Sequence, residues 1–485
     1  METVDPQIPI VIATHDDGVG AGLAEMLRDV GFSARVVHAE DKVDDPARGV
    51  CSGLIYLGGM RPVSSIDDAM ALNREAFAWV KAVGPELSQN GGILVTVQDT
   101  GGQFGLSGGD AIRAWSGGLP GLVKTAGLEW PTVAVKAIDI MGDGEEPRSI
   151  ASLIFGELWN GGPDVEVGFA KDRIRRTVTG KLASQKTDRV NDLSEGAVIV
   201  VSGGAGGVTA EVVRALACYA KPRLVLLGRT PLREVPEACQ GLRTDADLKR
   251  ALLRELKQQG ENPSPRHLTA MARSIQRTRE ITGLLAELKD VGVQARYISV
   301  DVRDEGALAE VLNEVGNEWG PIEGVVHGAG VLADRAIVEK TMDQFDRVFG
   351  TKVLGLRALL AATKDHPLRF LCLFSSIAAR SGNVGQCDYA MANEVLNKVA
   401  WSEKLRRGTG CNVKAIGWGP WDGGMVTPDL KAYFEARGVP LLSVEEGRTF
   451  FLDEVFGVRE GVEIVATATD LTPFHSLDSS QVRSV

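Results

Sequence analysis

The chain has few cysteines and histidines, and those present are scattered. Its 485 residues include six of each. No two cysteines have the Cys-x-x-Cys spacing and the histidines stand far apart, so the sequence predicts neither a disulfide framework nor a metal site. This use of cysteine is typical of a reducing compartment and favours the cytoplasm.

The chain also lacks an excess of positive charge and any long apolar run. Lysine and arginine number 53 against 64 aspartates and glutamates, which gives a net charge of −11. Such a balance lacks the basic footprint of a nucleic-acid-binding protein. No apolar run reaches the roughly 18 residues of a membrane span, and the acidic start, Met1 to Pro9, does not resemble a signal peptide. We therefore expect no nucleic-acid partner and no membrane contact.

Glycine, by contrast, is abundant, with 57 residues, which indicates many tight turns. In the first part of the chain, strand-like stretches alternate with helical ones. The predicted strands are Ile8–Thr14, Ser33–His38, Val50–Leu57, Gly92–Val97, Val133–Ile140 and a half-exposed Asp164–Val178; the predicted helices are Gly22–Val30, Ser64–Ser88 and Ala111–Leu128. This rhythm favours a parallel sheet covered by helices. A polar stretch from Gly180 to Glu195 then places a domain boundary near residue 188.

The same rhythm begins again after this boundary. The predicted strands are Ala197–Val201, Arg223–Leu227, Gln294–Val300, Gly324–His327, Phe370–Phe374, Asn412–Gly417 and Gly461–Thr469. Residues 231–291 interrupt the pattern with a charged stretch whose leucines recur at helical spacing, and we predict a mostly helical insertion there. The sequence thus predicts an α/β protein with two sheet-and-helix domains, at 1–188 and 189–485.

The turn after the strand Ala197–Val201 carries a pattern typical of dinucleotide binding. It reads Ser-Gly-Gly-Ala-Gly-Gly-Val-Thr and lies between a strand and a helix. Glycines let the backbone approach phosphates, and the helix N-terminus offers free N–H groups to them. The candidate cofactor-binding residues are Gly203, Gly204, Ala205, Gly206, Gly207, Val208 and Thr209. An ordinary glycine-rich turn has a similar composition, but the place of this one in a strand–turn–helix unit favours cofactor binding.

Three further strand ends fit a cofactor site. Arg229 stands where an NAD site usually has an acid, and an arginine there accommodates the 2′-phosphate of NADP. Asp301 and Val302 end the next strand, where an acid can accept the adenine amino group. The run Gly328-Ala329-Gly330 follows the fourth strand, where small residues let a ribose or nicotinamide lie on the backbone. The sequence therefore predicts NADPH as the cofactor.

Four residues further along form a candidate catalytic set. Ser376 ends another strand, Tyr389 follows it, and Asn393 shares a helix face with Tyr389, while Lys352 lies on the preceding helix. Hydride transfer to a carbonyl leaves negative charge on the oxygen, which must be protonated. We expect Tyr389 to donate that proton and Lys352 to lower the pKa of the phenol. Ser376 would add a hydrogen bond to the oxygen, and Asn393 would orient Lys352 or a relay water.

These residues give the second half a family likeness. It resembles the ketoreductase domains of type I polyketide synthases, within the short-chain dehydrogenase/reductase superfamily. The matching segments are Ser202–Thr209, Leu224–Arg229, His327–Asp334, Phe374–Asn393 and Gly417–Trp421. Classical members of the superfamily place the lysine four residues after the tyrosine, whereas these ketoreductases resemble the arrangement seen here. The resemblance implies an enzyme that reduces the β-keto group of an acyl chain on an acyl carrier protein, with NADPH, beside other synthase domains.

The first half resembles the structural subdomain of the same family, a truncated Rossmann-like unit without catalytic residues. The runs Gly117–Leu122 and Gly127–Pro131 carry this likeness. Independently, residues 1–188 contain one tyrosine, Tyr56, with no lysine or asparagine four places on. Both observations indicate that the first half supplies no catalytic group.

Finer features suggest the substrate and the product. The insertion, and Thr209 in place of a glycine, are similar to ketoreductases of polyunsaturated-fatty-acid synthases, which favours a long acyl chain. The run Leu332-Ala333-Asp334 keeps half of the acidic pair found in enzymes that give the D-hydroxy product. Ser381 stands where the opposite class has a tryptophan. We therefore expect the D-hydroxy product.

Some alternatives stay open at this point. The fold can serve as a non-catalytic scaffold in a synthase, or as a stand-alone reductase of small ketones or coenzyme A thioesters. For docking an acidic carrier protein, the candidate groups are Arg266, Arg273, Arg277 and Arg279 in the insertion, and Lys404, Arg406 and Arg407. Residues 417–427 are expected to cover the nicotinamide or to form a packed loop, and 428–437 to form a helical lid.

Overall fold

The computed structural model describes residues 4–40, 50–142, 144–181, 188–423, 431–432, 439–458 and 460–468. Within these ranges the chain forms two seven-stranded sheets, one in each half, and helices pack on both. This architecture confirms the predicted pair of Rossmann-like α/β units. In the same ranges, no helix combines the length and the apolar character needed to cross a membrane.

The first sheet is parallel except at one edge. Its strands are β1 Ile10–Thr14, β2 Ala34–His38, β3 Gly53–Gly59, β4 Gly92–Gln98, β5 Val133–Ile140, β6 Glu166–Phe169 and β7 Arg175–Thr177, in the order β2-β1-β3-β4-β5-β6-β7. Its helices are α1 Asp17–Asp29, α2 Ile66–Asn90, α3 Leu119–Glu129 and α4 Pro147–Asn160. Strands β1, β3 and β4 are buried throughout, as expected for parallel strands covered on both faces.

Two predictions in this half were wrong in detail. The single strand predicted over Asp164–Val178 is the antiparallel pair β6 and β7. The turn between them contains Arg173 with a φ of 58°, a local conformation that composition does not reveal. The helix predicted from Ala111 begins only at Leu119, after a short 3₁₀ turn and two glycines.

The second sheet is parallel throughout the described residues. Its strands are β8 Val198–Ser202, β9 Arg223–Gly228, β10 Ala295–Ser299, β11 Ile322–His327, β12 Phe370–Ser376, β13 Asn412–Trp418 and β14 Glu463–Ala466, in the order β10-β9-β8-β11-β12-β13-β14. Its helices are α5 Gly207–Ala220, α6 Asp245–Gln258, α7 Pro265–Asp290, α8 Glu305–Trp319, α9 Met342–Ala362, α10 Ala378–Ser381, α11 Cys387–Arg407 and α12 Val444–Phe456. The strand order reverses between β8 and β11, and ligands of such sheets bind in the crevice at that point.

The insertion is an extension of the sheet's own crossover helix. Helices α6 and α7 enclose a small core of their own, built around Leu248, Leu252 and Ile275. The last turns of α7, however, bring Leu284 and Leu288 into the core beneath the second sheet. The insertion predicted at 231–291 is therefore not wholly separate from the second half. Its last turns form part of the helix that connects β9 to β10.

The two halves pack closely through α3 and α11. A Cβ atom built on Gly121 would lie 2.7 Å from the backbone carbon of Ala390, and one on Gly118 would lie 3.0 Å from the carbonyl oxygen of Met391. Side chains at these positions would push the helices apart, so the glycines of the Gly117–Leu122 run allow their backbones to meet. Since α11 carries Tyr389 and Asn393, the first half supports the helix that bears two candidate catalytic residues. We keep residue 188, between β7 and β8, as the proposed boundary.

Buried charges reinforce the same interface. Lys124 on α3 donates to Glu394 on α11 at 2.6 Å and lies 3.1 Å from Glu166 on β6. Lys398 lies 2.8 Å from Glu394, one helical turn away. The surrounding cations hold the pKa of the Glu394 carboxyl below its usual range despite burial. This cluster joins the first half to the middle of α11.

Candidate active site

The four candidate catalytic residues meet at the carboxyl end of β12. Ser376 ends that strand, Tyr389 and Asn393 lie in the first two turns of α11, and Lys352 reaches in from the middle of α9. The Lys352 ammonium lies 5.2 Å from the centre of the Tyr389 ring. The structure thus brings together groups that are separated by up to 41 positions in the sequence, from Lys352 to Asn393.

Burial sets the proton affinities of this set. It lowers the pKa of Lys352 from 10.5 to about 7, because a charged ammonium is disfavoured away from water. Burial raises the pKa of Tyr389, and hydrogen bonding with Asn393 and Ser376 opposes that rise. The net direction is opposite to the lowering expected from Lys352. Tyr389 therefore holds its proton at neutral pH, as a proton donor must.

Asn393 is bound to Tyr389 rather than to Lys352. Its amide nitrogen donates to the Tyr389 carbonyl at 2.8 Å, within the helix. Its amide oxygen is buried and has no hydrogen-bond partner among the described residues. A buried acceptor left open in this way suits a water molecule, which fits the relay role predicted for Asn393.

The glycine-rich turn forms a tight cradle at the end of β8. Gly203 has a φ of 71°, and a Cβ there would lie 3.0 Å from the Cα of Ala329. A Cβ on Gly328 would lie 2.5 Å from the hydroxyl oxygen of Thr209, and one on Gly330 would lie 3.3 Å from Cε of Lys352. Side chains at these positions would collide with protein atoms, so the glycines let the turn after β8 and the segment after β11 pack closely, next to Lys352. Thr209 itself is buried against Gly328, and its contact with a phosphate stays a prediction.

A buried hydrogen-bond chain links this cradle to the lysine helix. Nδ1 of His327 lies 2.7 Å from the Ser202 hydroxyl, and Nε2 lies 2.8 Å from the carbonyl oxygen of Lys352. Because that carbonyl can only accept, Nε2 donates and Nδ1 accepts from Ser202. Burial lowers the pKa of His327 to about 3, so the ring is neutral. Sequence reasoning missed this chain, although a histidine at the end of an apolar strand was a visible signal.

The other predicted cofactor residues line the same edge of the sheet. Arg229 is exposed at the end of β9, and its guanidinium has no hydrogen-bond or ion-pair partner among the described residues. Asp301 is already bound by Arg303, whose guanidinium donates to both carboxylate oxygens at 2.7–3.2 Å. Val302 is buried and lies close to Gly355, so that its side chain belongs to the core. Contact of Asp301 and Val302 with adenine stays a prediction.

Two further groups lie near the candidate catalytic Tyr389, and sequence reasoning did not identify them. The buried Lys340 ammonium lies 2.8 Å from the Asp388 carboxylate and donates to the carbonyl of Ala333 at 2.7 Å. Glu129, at the end of α3, accepts from the backbone N–H groups of Ile337 and Gly385 at 2.7 and 2.9 Å. Together they join the segment after β11 to the start of α11. No local sequence pattern predicts the contacts of Lys340 and Glu129, because each contact links segments that are far apart in the chain.

Two sequence interpretations fall partly or mostly outside the described residues. The loop predicted over 417–427 is described only as far as residue 423, where Trp418 and Trp421 are buried and pack edge to face. The helical lid predicted over 428–437 lies outside the described residues apart from 431 and 432.

Known proteins share both the sequence and the fold. Residues 246–423 match the model of the KR domain family. The chain is 38% identical, over 70% of its length, to one subunit of the polyunsaturated fatty acid synthase of Thraustochytrium sp., and 36% identical, over 34% of its length, to the polyketide synthase PksM of Bacillus subtilis. It spans only 12% and 4% of the lengths of these two relatives.

Solved structures agree with the fold. An A-type ketoreductase from a modular polyketide synthase is 23% identical, with a TM-score of 0.66, over 96% of this chain and 90% of that one. A ketoreductase from the macrolactin assembly line is 19% identical, with a TM-score of 0.67, over 95% and 87%. At these identities the likeness establishes the fold alone.

The doubly wound sheet, its glycine-rich turn and the Ser–Tyr–Lys–Asn set define the class as a short-chain dehydrogenase/reductase-like fold, whose members bind a nicotinamide cofactor. Within that class, the chain belongs to the ketoreductase domains of polyketide and polyunsaturated-fatty-acid synthases.

Proposed function

We propose that this domain uses NADPH to reduce the β-keto group of an acyl chain carried by an acyl carrier protein. The observation that carries the proposal is the convergence of Tyr389, Lys352, Ser376 and Asn393 beside the glycine cradle. A non-catalytic scaffold would have no need to keep all four groups at one strand end.

The proposed chemistry follows from which groups of the site carry protons. NADPH, when bound, supplies a hydride to the carbonyl carbon. The neutral Tyr389 phenol donates its proton to the developing alkoxide, and the Ser376 hydroxyl donates a hydrogen bond to the same oxygen. The Lys352 cation stabilises the phenolate that is left. A water bound at the open amide oxygen of Asn393 would relay a proton from solvent to the phenolate, taking up one proton for each that it passes on, and so restore Tyr389. The keto oxygen thus gains one proton, the carbon gains one hydride, and a hydroxyl results.

The residues fit NADPH in particular. The exposed Arg229 guanidinium at the end of β9 is available to the 2′-phosphate, and Gly203 to Thr209 would hold the pyrophosphate at the N-terminus of α5. One charge-assisted hydrogen bond contributes about 1.5–3 kcal/mol, so a preference for NADPH over NADH of about tenfold to a hundredfold is expected.

The neighbourhood of Tyr389 bears on stereochemistry. Asp334 accepts a hydrogen bond from Gln386 at 3.0 Å, and its charge raises the pKa of Tyr389. This acid therefore lies close to the reaction centre, on the segment that follows β11. We keep the D-hydroxy product as the proposed outcome, and chiral analysis of the reduced thioester tests it.

Docking of the carrier is proposed on fewer groups than the sequence indicated. Arg279 donates to the backbone carbonyls of Cys239 and Leu242 and thereby holds the insertion together. Arg406 and Arg407 both pair with Glu403. Lys404 donates to the backbone carbonyls of Gly408 and Cys411, and Arg277 pairs with Glu280. The exposed Arg266 and Arg273 stay as docking candidates.

The substrate class is tested by comparing turnover on three ketones. Acetoacetyl carrier protein, a long-chain β-ketoacyl carrier protein and a small free ketone would be supplied with NADPH, and absorbance at the nicotinamide band recorded. We expect kcat/KM to be highest for the long carrier-bound chain. Equal turnover of the free ketone would favour a stand-alone reductase, and no turnover of any of them would favour a scaffold.

A further inference from the structure

The extended helix α7 brings a cation from the insertion to the cofactor cradle. Its C-terminal turns are fixed in the core by Leu284 and Leu288. Two turns earlier, the guanidinium of Arg277 lies over the glycine-rich turn that follows β8. A Cβ atom built on Gly206 would be 2.8 Å from Nη1 of Arg277. The guanidinium therefore occupies the space that a side chain at position 206 would take.

The surroundings of Arg277 are those of an adenosine phosphate site. Gly206 is the N-cap of α5, where unpaired N–H groups favour anions. Burial raises the pKa of the nearby Tyr297, and the positive charge of Arg277 opposes that rise. The Tyr297 hydroxyl donates to the Thr230 carbonyl at 2.9 Å, directly after Arg229. Arg277 thus lies between the turn proposed for the pyrophosphate and the strand end proposed for the adenosine ribose.

Arg277 already has a carboxylate neighbour. Glu280, one turn along α7, accepts from Nη1 of Arg277 at 2.7 Å. Both side chains are more than half exposed, at 57% and 52%. An exposed pair of this kind contributes little to stability, so the guanidinium can exchange Glu280 for a phosphate at small cost.

We propose that Arg277 is a second cation for the 2′-phosphate of NADPH, supplied by the insertion rather than by the dinucleotide fold, with Glu280 as its resident counter-ion. This inference rests on the proposed function, because it assumes that NADPH binds at the cradle. It gives the insertion a direct part in cofactor selection: Arg229 approaches the phosphate from the sheet, and Arg277 approaches it from the helix above.

The proposal predicts two variants with opposite effects. Arg277→Ala should weaken NADPH binding by about tenfold or more, because a charge-assisted hydrogen bond is lost. Glu280→Gln should tighten it by a few fold, because the competing carboxylate is gone. Neither should change the affinity for NADH, which lacks the 2′-phosphate. Lys289→Ala is the matched control, since Lys289 is an exposed cation in the last turn of the same helix and should leave both affinities unchanged.

Titration calorimetry with NADPH, NADH and 2′,5′-ADP on the whole chain tests this directly, with thermal unfolding to verify that each variant is folded. Selective loss of NADPH and 2′,5′-ADP binding in Arg277→Ala, partly restored in Arg277→Lys, is the expected result. Unchanged NADPH affinity in Arg277→Ala, or an equal loss for NADH, would overturn the assignment to the 2′-phosphate. If the unaltered chain bound no NADPH at all, the proposed function itself would fail, which separates the two outcomes.

Discussion

Lys352 and Lys340 are both buried ammonium groups. Replacing Lys352 by methionine should nevertheless stabilise the folded protein at low pH, whereas replacing Lys340 by methionine should destabilise it. Lys352 is 3% exposed and donates to the Phe374 carbonyl at 2.7 Å, and no carboxylate of the described residues lies within 4 Å of it. Lys340 is fully buried but lies 2.8 Å from Asp388. One cation is therefore unneutralised, and the other has its counter-ion.

The magnitude follows from the pKa of Lys352, which burial lowers from 10.5 to about 7. Each unit corresponds to about 1.4 kcal/mol, so holding this group charged below pH 7 costs up to about 5 kcal/mol. Lys352→Met removes that cost and loses a hydrogen bond to the Phe374 carbonyl, which is worth about 1.5–3 kcal/mol. At pH 6 the variant should be more stable than the parent by about 2–3 kcal/mol.

The effect of Lys352→Met on the free energy of unfolding depends on pH. Between the folded pKa of about 7 and the ordinary value of 10.5, the unfolded chain holds a proton that the folded chain has released. The stability of the parent therefore rises with pH across this window, and the advantage of Lys352→Met disappears as pH approaches about 10. Lys340→Met, by contrast, leaves the Asp388 carboxyl without its counter-ion and should destabilise by about 3–5 kcal/mol.

Thermal and urea unfolding of both variants at pH 6 and pH 9.5 measures these differences. Lys352→Met should also lose activity by at least about a hundredfold, giving a more stable but inactive protein. If Lys352→Met were destabilised at pH 6 as strongly as Lys340→Met, the reasoning from unneutralised burial would be refuted.

Two further predictions concern glycines. Gly121→Ala should lower kcat by forcing α3 away from α11, although none of the candidate catalytic residues lies in the first half. Gly156→Ala, where a Cβ meets nothing within 4 Å, should leave activity unchanged. Steady-state kinetics that showed no difference between the two variants would contradict the supporting role of α3. Gly203→Ala, at a φ of 71° beside the cradle, should weaken NADPH binding by about tenfold or more. Gly241→Ala, at a φ of 75° in open space, carries the same backbone strain and should bind NADPH normally, so equal calorimetric affinities would argue against the cradle.

The strands were predictable because each is a short apolar run bounded by glycine or polar residues. The predicted Val133–Ile140 strand agrees with the structure end to end. The break at Arg173 between β6 and β7 was missed because a single residue in a left-handed conformation leaves no periodic trace. The helical character of the insertion was predicted correctly, but its exposed and its buried turns share one uninterrupted pattern, which does not show that the last turns of α7 enter the core beneath the second sheet.

The candidate site also contains features that the sequence could predict and features that it could not. The glycine-rich turn and the spacing of Tyr389 and Asn393 are local patterns, so sequence alone could propose them. The contacts made by Glu129 and the approach of Arg277 to Gly206 join segments separated by 70 positions or more. Such contacts depend on how helices pack on the sheet, and no short window of sequence encodes them. The raised pKa of Tyr389 likewise comes from tertiary burial.

The most direct test of ketoreduction through Tyr389 is NADPH oxidation by the purified chain with an acetoacetyl thioester, beside Tyr389→Phe and Tyr219→Phe. Tyr219 lies on α5, where its ring packs on Phe456, and serves as the matched control. The account predicts turnover in the parent and in Tyr219→Phe, and a loss of at least about a hundredfold in Tyr389→Phe. Turnover in Tyr389→Phe close to that of the parent would contradict it.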